Sequence, residues 1–219
     1  MNQKALVLLS GGQDSTTCLA LAKRDCKEVY TLCLDYGQRH RVELAQARKI
    51  AQLAKVPFQM IDLNFLSQLN PNALVCSDMQ IESKAGELPN TFVPGRNALF
   101  LNVAAMFAYQ HQIQMIYIGV CETDFSGYPD CRAGFISSMN QALNLAMERD
   151  FEIKTPLMHL NKAQTVQLMR DLGHMDWLKE SHTCYEGLRP ACGVCPACQL
   201  RLNGFRDAGF EDPLEYQDQ

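Results

Sequence analysis

No apolar run in this 219-residue chain is long enough to cross a bilayer. The longest candidate, ALFLNVAAMFAY, is broken by Asn102 and falls short of the roughly 20 residues a spanning helix needs. The amino-terminal run, ALVLL, covers five residues. That is too short for the apolar core of a secretory signal, so it reads as a strand, and the chain is expected to be cytoplasmic with no membrane partner. A basic excess is missing as well. Lys and Arg number 20 against 24 Asp and Glu, for a net charge of −4 and a pI of about 5.7. That balance excludes a general nucleic-acid coat, although a local basic site stays open. There are no internal repeats, low-complexity tracts or linkers. The 47% apolar and 20% charged residues are an ordinary globular balance, enough for one large domain or a domain with an appendage.

What is present alternates. KALVLL (4–9), VYTLCL (29–34) and FQMIDL (58–63) read as strands, the first a continuous apolar run of the kind covered on both faces. Between them, DSTTCLALAKRD suits a helix. HRVELAQARKIAQLAK (40–55) places Val42, Ala45, Ala47, Ile50, Ala51 and Ala54 at helical steps. This order predicts parallel βαβ units with right-handed crossovers. Residues 67–95 break the rhythm with Pro71, Gly86, Pro89, Pro94 and Gly95, and a connection this long usually carries function or moves as a lid. Helix is predicted again at 97–112, strand at 115–120, helix near 134–148, a fifth strand in FEIKTPL, and helix over 161–173 closed by Gly173.

The first strand leaves through SGGQDSTT (10–17). Glycines admit positive φ and let a ligand approach the backbone, and loop amides with a helix amino end form an anion site. The lysine and spacing of a Walker loop are absent, and G-x-G-x-x-G also fails. The stretch resembles the S-G-G-x-D-S loop of the ATP pyrophosphatases, the PP-loop family, which cleave ATP between the α and β phosphates and adenylate their substrates. The resemblance implies an adenine nucleotide alpha hydrolase-like fold: a Rossmann-like parallel sheet of about five strands with helices on both faces. It also implies ATP as substrate with Mg²⁺, bound by Leu9, Ser10, Gly11, Gly12, Gln13, Asp14, Ser15, Thr16, Thr17, Cys18 and Leu19. The second strand ends in LDYGQRH, and ligands sit beyond the carboxyl ends of such strands, which brings Asp35, Tyr36, Gly37, Gln38, Arg39 and His40 beside the nucleotide. TPLMHLNKAQTV resembles a late stretch of the same synthetases, where Lys162 at a helix start would reach phosphate oxygens. Asp14, Ser15 and Lys162 are accordingly the expected catalytic residues.

Ten cysteines are many. Six are scattered and read as small buried hydrophobes. The other four, Cys184, Cys192, Cys195 and Cys198, form C-x7-C-x2-C-x2-C, a spacing that closes a tetrahedral site. Structural Zn²⁺ is favoured, one ion per chain, with an Fe–S cluster as the alternative. The division expected is an ATP-binding α/β domain over 1–175 and a zinc-binding module over 176–219 packed on it.

Two further segments, NTFVPGRN (90–97) and GVCETDFSGYPDCR (119–132), together with the loop, DYGQRH and the terminal cysteines, resemble the 7-cyano-7-deazaguanine synthase family of queuosine biosynthesis. That resemblance implies conversion of 7-carboxy-7-deazaguanine, ammonia and ATP to the nitrile, in a homodimer that does not touch nucleic acid. The residues suit the chemistry on their own terms. Glu122, Asp124 and Asp130 are acceptors for an amino-pyrimidine edge, Phe125 or Tyr128 could stack on the ring, and Arg96 with Asn97 could orient a carboxylate. No glutaminase segment is recognisable, so free ammonia is the expected nitrogen source. Two other readings stay open. One is a PP-loop enzyme that thiolates tRNA or forms lysidine on it, with Cys18 or Cys121 active. The other is a non-catalytic zinc-ribbon module, which leaves the glycine loop unexplained.

Overall fold

The computed structural model describes residues 3–217 except 39–40, 70–71, 73, 75–78, 80–87 and 123–126. Arg39, His40, Asp124 and Phe125 therefore lie outside the described residues, as does much of 67–95. Five parallel strands, β1 (Lys4–Leu8), β2 (Glu28–Asp35), β3 (Phe58–Asp62), β4 (Met115–Tyr117) and β5 (Glu152–Lys154), form one sheet in the order β3-β2-β1-β4-β5. The α/β fold class expected from the alternation is thus the one observed.

Side chains alternate across the sheet with a period of two. On one face Ala5, Val7, Val29, Cys33 and Tyr117 pack under α1 (Gln13–Asp25) and α2 (Val42–Leu53). The opposite face carries Leu6, Leu8, Leu32, Leu34 and Ile116. A short α3 (Phe65–Leu69) follows β3, and α4 (Arg96–Gln110) and α5 (Ala133–Met147) cover that second face. Burial on both faces explains why the strands read as unbroken apolar runs.

The predicted strand at 115–120 pairs only over Met115–Tyr117, and the chain beyond it turns toward the loop after β1. The helix predicted over 161–173 is α6 (Lys162–Asp171). Asn161 and Gln164 close a full capping box at its start, and Gly173, at φ +75°, lies just past its end. Besides the short α3, two helices went unread in the sequence: α7 (Met175–Glu180) and α8 (Pro196–Asp207). The first has only six residues. The second opens on the cysteine motif itself, with Cys195 as its N-cap and Pro196 at its first position, so its start reads as metal-binding turn. Trp177, Leu178 and Phe205 join the α1–α2 core, while Cys184, Cys192, Cys195, Cys198 and Leu214 form a separate cluster. Among the described residues, no helix is long and apolar enough to cross a membrane.

Candidate active site and metal centre

Strand order reverses between β1 and β4, and the crevice outside such a reversal is where open α/β sheets take ligands. A cavity of about 640 Å³ opens there, within the range of small-molecule sites.

One end of the cavity is the glycine loop. Gly11 has φ +89°, and a Cβ on it would lie 2.3 Å from Glu43 O and 2.8 Å from Ala47 N of α2. No other residue fits. Its carbonyl accepts the His182 N–H at 2.8 Å. Gly12 caps α1 with no side-chain bond, so the first-turn N–H groups lack intrahelical acceptors. Gly12, Gln13, Asp14 and Ser15 line the cavity, which points the positive helix end into it. The loop hydroxyls hold its shape. Ser15 Oγ donates to Gly12 O at 3.0 Å and accepts Ser10 N–H at 3.2 Å. Thr16 and Thr17 donate to Gly12 O at 2.8 Å and Gln13 O at 3.0 Å. Thr16, Thr17, Cys18 and Leu19 are fully buried, and burial, then Asp14, pushes the Cys18 thiol up. The Gln13 side chain is buried with no partner for either polar atom among the described residues.

The three residues expected to be catalytic meet here. Lys162 Nζ donates to both Asp14 oxygens, at 2.7 and 2.9 Å, one residue from Ser15. Lys162 opens α6 and is pressed by α8: a Cβ on Gly204 would stand 2.5 Å from Lys162 Cβ.

The other end of the cavity is aromatic and cationic. The Arg96 guanidinium lies 5.6 Å from the Tyr36 ring centre and 6.0 Å from that of Phe100, donates to Tyr36 Oη at 3.5 Å, and leaves Nε buried without a partner among the described residues. Tyr128 hydrogen-bonds Thr91 and packs 5.5 Å from Phe92. Asn97 and Gln38 also reach the lining. The other expected residues turn elsewhere. Asp130 accepts Asn97 N–H at 3.2 Å at the start of α4, and Glu122 accepts Ala133 N–H at 2.6 Å at the start of α5. Asp35 accepts Gly37 N–H at 3.2 Å and pairs with Arg41. None of these three carboxylates lines the cavity.

Glu43, His182 and Tyr185 line the cavity and were missed. Glu43 reads in sequence as an ordinary helix-face carboxylate, and only the packing of α2 on Gly11 carries it inward. Burial outweighs the attraction of Arg96 and pushes its carboxyl up to about 7.

The four clustered cysteines are buried, with their sulfurs within 4.8 Å of one another. Backbone N–H groups of Cys195 and Tyr185 donate to Cys192 Sγ and Cys195 Sγ, both at 3.4 Å, which favours thiolate. Four soft donors at this separation fit Zn²⁺ and suit iron equally by softness. The centre is tied to the rest of the site through Arg201. Its guanidinium meets Asp212 at 2.7 and 2.8 Å, Ser181 Oγ at 2.6 Å and Leu178 O at 2.9 Å, and His182 follows Ser181 into the glycine loop.

The chain is similar to several known proteins. A 7-cyano-7-deazaguanine synthase of Bacillus subtilis (strain 168) is 52% identical over 207 residues, 94% of each chain. Among solved structures, the NH3-dependent NAD synthetase of Campylobacter jejuni superposes with a TM-score of 0.51 at 18% identity, covering 83% of this chain and 70% of that one. A 4-thiouridine synthetase, solved as an RNA complex with bound ATP, gives 0.54 at 14%, covering 94% and 50%. These two share the fold. The family described as queuosine biosynthesis protein QueC matches residues 4–209, and the chain belongs to it.

Proposed function

We propose that this chain is an ATP-dependent ligase that makes 7-cyano-7-deazaguanine from 7-carboxy-7-deazaguanine and ammonia. The observation that carries the reading is the single cavity whose one end is a glycine loop with Lys162–Asp14 and whose other end is Arg96 among Tyr36 and Tyr128. A triphosphate suits the first end, and a planar ring bearing a carboxylate suits the second.

A carboxylate resists ammonia because its leaving group would be oxide. Transfer of AMP onto one carboxylate oxygen turns that oxygen into a good leaving group. Loop amides and Lys162 hold the phosphates and stabilise charge on the departing pyrophosphate, and Asp14 holds Lys162. Mg²⁺, for which Asp14 offers a hard oxygen donor at the loop mouth, would supply further neutralisation when it arrives with the nucleotide. Ammonia then gives the amide, and a second activation in the same cavity removes the amide oxygen. Arg96, Asn97 and Tyr128 position the ring by contact rather than covalent chemistry.

Cys184, Cys192, Cys195 and Cys198 would hold Zn²⁺ as a closed structural ion with no open position. We read 1–175 as the ATP-binding domain and 176–219 as the zinc-binding part, in a cytoplasmic homodimer that takes ammonia from solution. A tRNA thiolase reading suffers from the full burial of Cys18 and from the engagement of Cys121 Sγ with Leu160 O at 3.1 Å. The test is mass spectrometry after incubation with ATP, Mg²⁺, ammonium and 7-carboxy-7-deazaguanine. A nitrile product is expected; tRNA as the only modified species would overturn the assignment.

A further inference from the structure

We propose that Glu43 is the proton acceptor for the two nitrogen steps in this cavity, a role that rests on the ligase reading above. Two carboxyl groups among the described residues line the cavity, Asp14 and Glu43. Asp14 is engaged by Lys162 through both oxygens. No hydrogen bond or ion pair engages the Glu43 carboxyl among the described residues. Its position is fixed by the loop itself, because the Glu43 carbonyl fills the space that a side chain on Gly11 would occupy. The residue whose backbone packs on the glycine loop is therefore one that also reaches the cavity lining.

The charged and titratable groups that face it are Arg96 of α4, Tyr36 after β2, Cys33 of β2 and Tyr185. An arginine stays protonated. Burial pushes Tyr36 up and Cys33 to about 12, so neither accepts a proton at neutral pH. Glu43, at about 7, is matched to that task.

The steps balance. The ammonia lone pair attacks the adenylated carbonyl carbon, a C–N bond forms, and the new ammonium nitrogen gives one proton to the Glu43 carboxylate. The C–O bond to AMP then breaks, leaving the amide. After the second ATP transfers AMP to the amide oxygen with release of pyrophosphate, the nitrogen loses two protons in turn. Each goes to Glu43 and on to solvent, the C–O bond breaks, AMP departs, and the nitrile forms. No oxidant or reductant is needed.

The sign of the pH dependence follows. Glu43 is neutral below about pH 7 and ionised above it, so turnover at fixed free ammonia should rise through pH 7. The experiment compares wild type, Glu43→Gln and Glu43→Asp in two assays: amide and nitrile formation, and pyrophosphate exchange into ATP driven by the carboxylic acid alone. Expected for Glu43→Gln is a loss of about 100- to 10,000-fold in product formation, with acid-dependent exchange persisting and the limb near pH 7 gone. Glu43→Asp should recover part of the rate. Product formation within tenfold of wild type in Glu43→Gln, a surviving limb, or exchange falling in step with product would each overturn the role. Absence of acid-dependent exchange in the wild type would instead overturn the ligase reading beneath it.

Discussion

Two helices of this protein begin in turns that attract negative charge, and they treat that charge differently. At α1 the N-cap is Gly12 and no side chain caps it. The cap of α8 is Cys195, whose sulfur accepts the Cys198 N–H at 3.5 Å. The first end is left open to a cavity and the second is closed by its own thiolate among three others. In the function proposed above, one helix terminus would serve a nucleotide that comes and goes, and the other a permanent ion. Side chains at the cap make the difference: glycine leaves amides bare, whereas cysteine spends them.

If the contrast holds, each end can be broken without the other. The largest effect is expected at the open one. Asp14→Ala should cut ATP-dependent turnover about 1,000-fold or more by freeing Lys162 from its place at the phosphates, while metal content by elemental analysis stays at the wild-type level. Loss of metal together with activity would mean the two ends are one unit. Next is Cys195→Ser, which removes one metal donor and the α8 cap together. Metal binding is coupled to folding, so a fall of about 10 °C in Tm and sub-stoichiometric metal are expected; a fully loaded variant with unchanged Tm would show the cluster is misassigned. The smallest effect sharpens the comparison where the ends touch. Gly204→Ala on α8 should push Lys162 from the loop and lower kcat about tenfold, with metal retained and KM for the carboxylic acid within twofold. An unchanged kcat would mean that Lys162 needs no support from α8.

Much of this was legible in the chain. Strands buried on both faces announce themselves as apolar runs, and the glycine loop and C-x2-C-x2-C spacing bring chemistry and local geometry in the same few residues. Lys162 was readable because a family stretch surrounds it. The carboxylates of the substrate side were less so. Glu122 and Asp130 have the right chemistry for a ring edge, yet the structure gives them helix amides to satisfy, a competition that composition cannot rank. Glu43 and His182 were illegible for a different reason. Each reaches the cavity because a backbone from elsewhere docks on Gly11, and contacts between distant segments leave no local pattern.

The brace on Gly11 runs a long way down the polypeptide. Asp212 clamps Arg201, Arg201 secures the backbone at 178 and the hydroxyl at 181, and the next amide grips the Gly11 carbonyl in the loop after β1. A chain under synthesis can assemble β1 and β2 early, but the loop after β1 gains this strut only once the segment around residue 212 has been made and has folded back on Arg201.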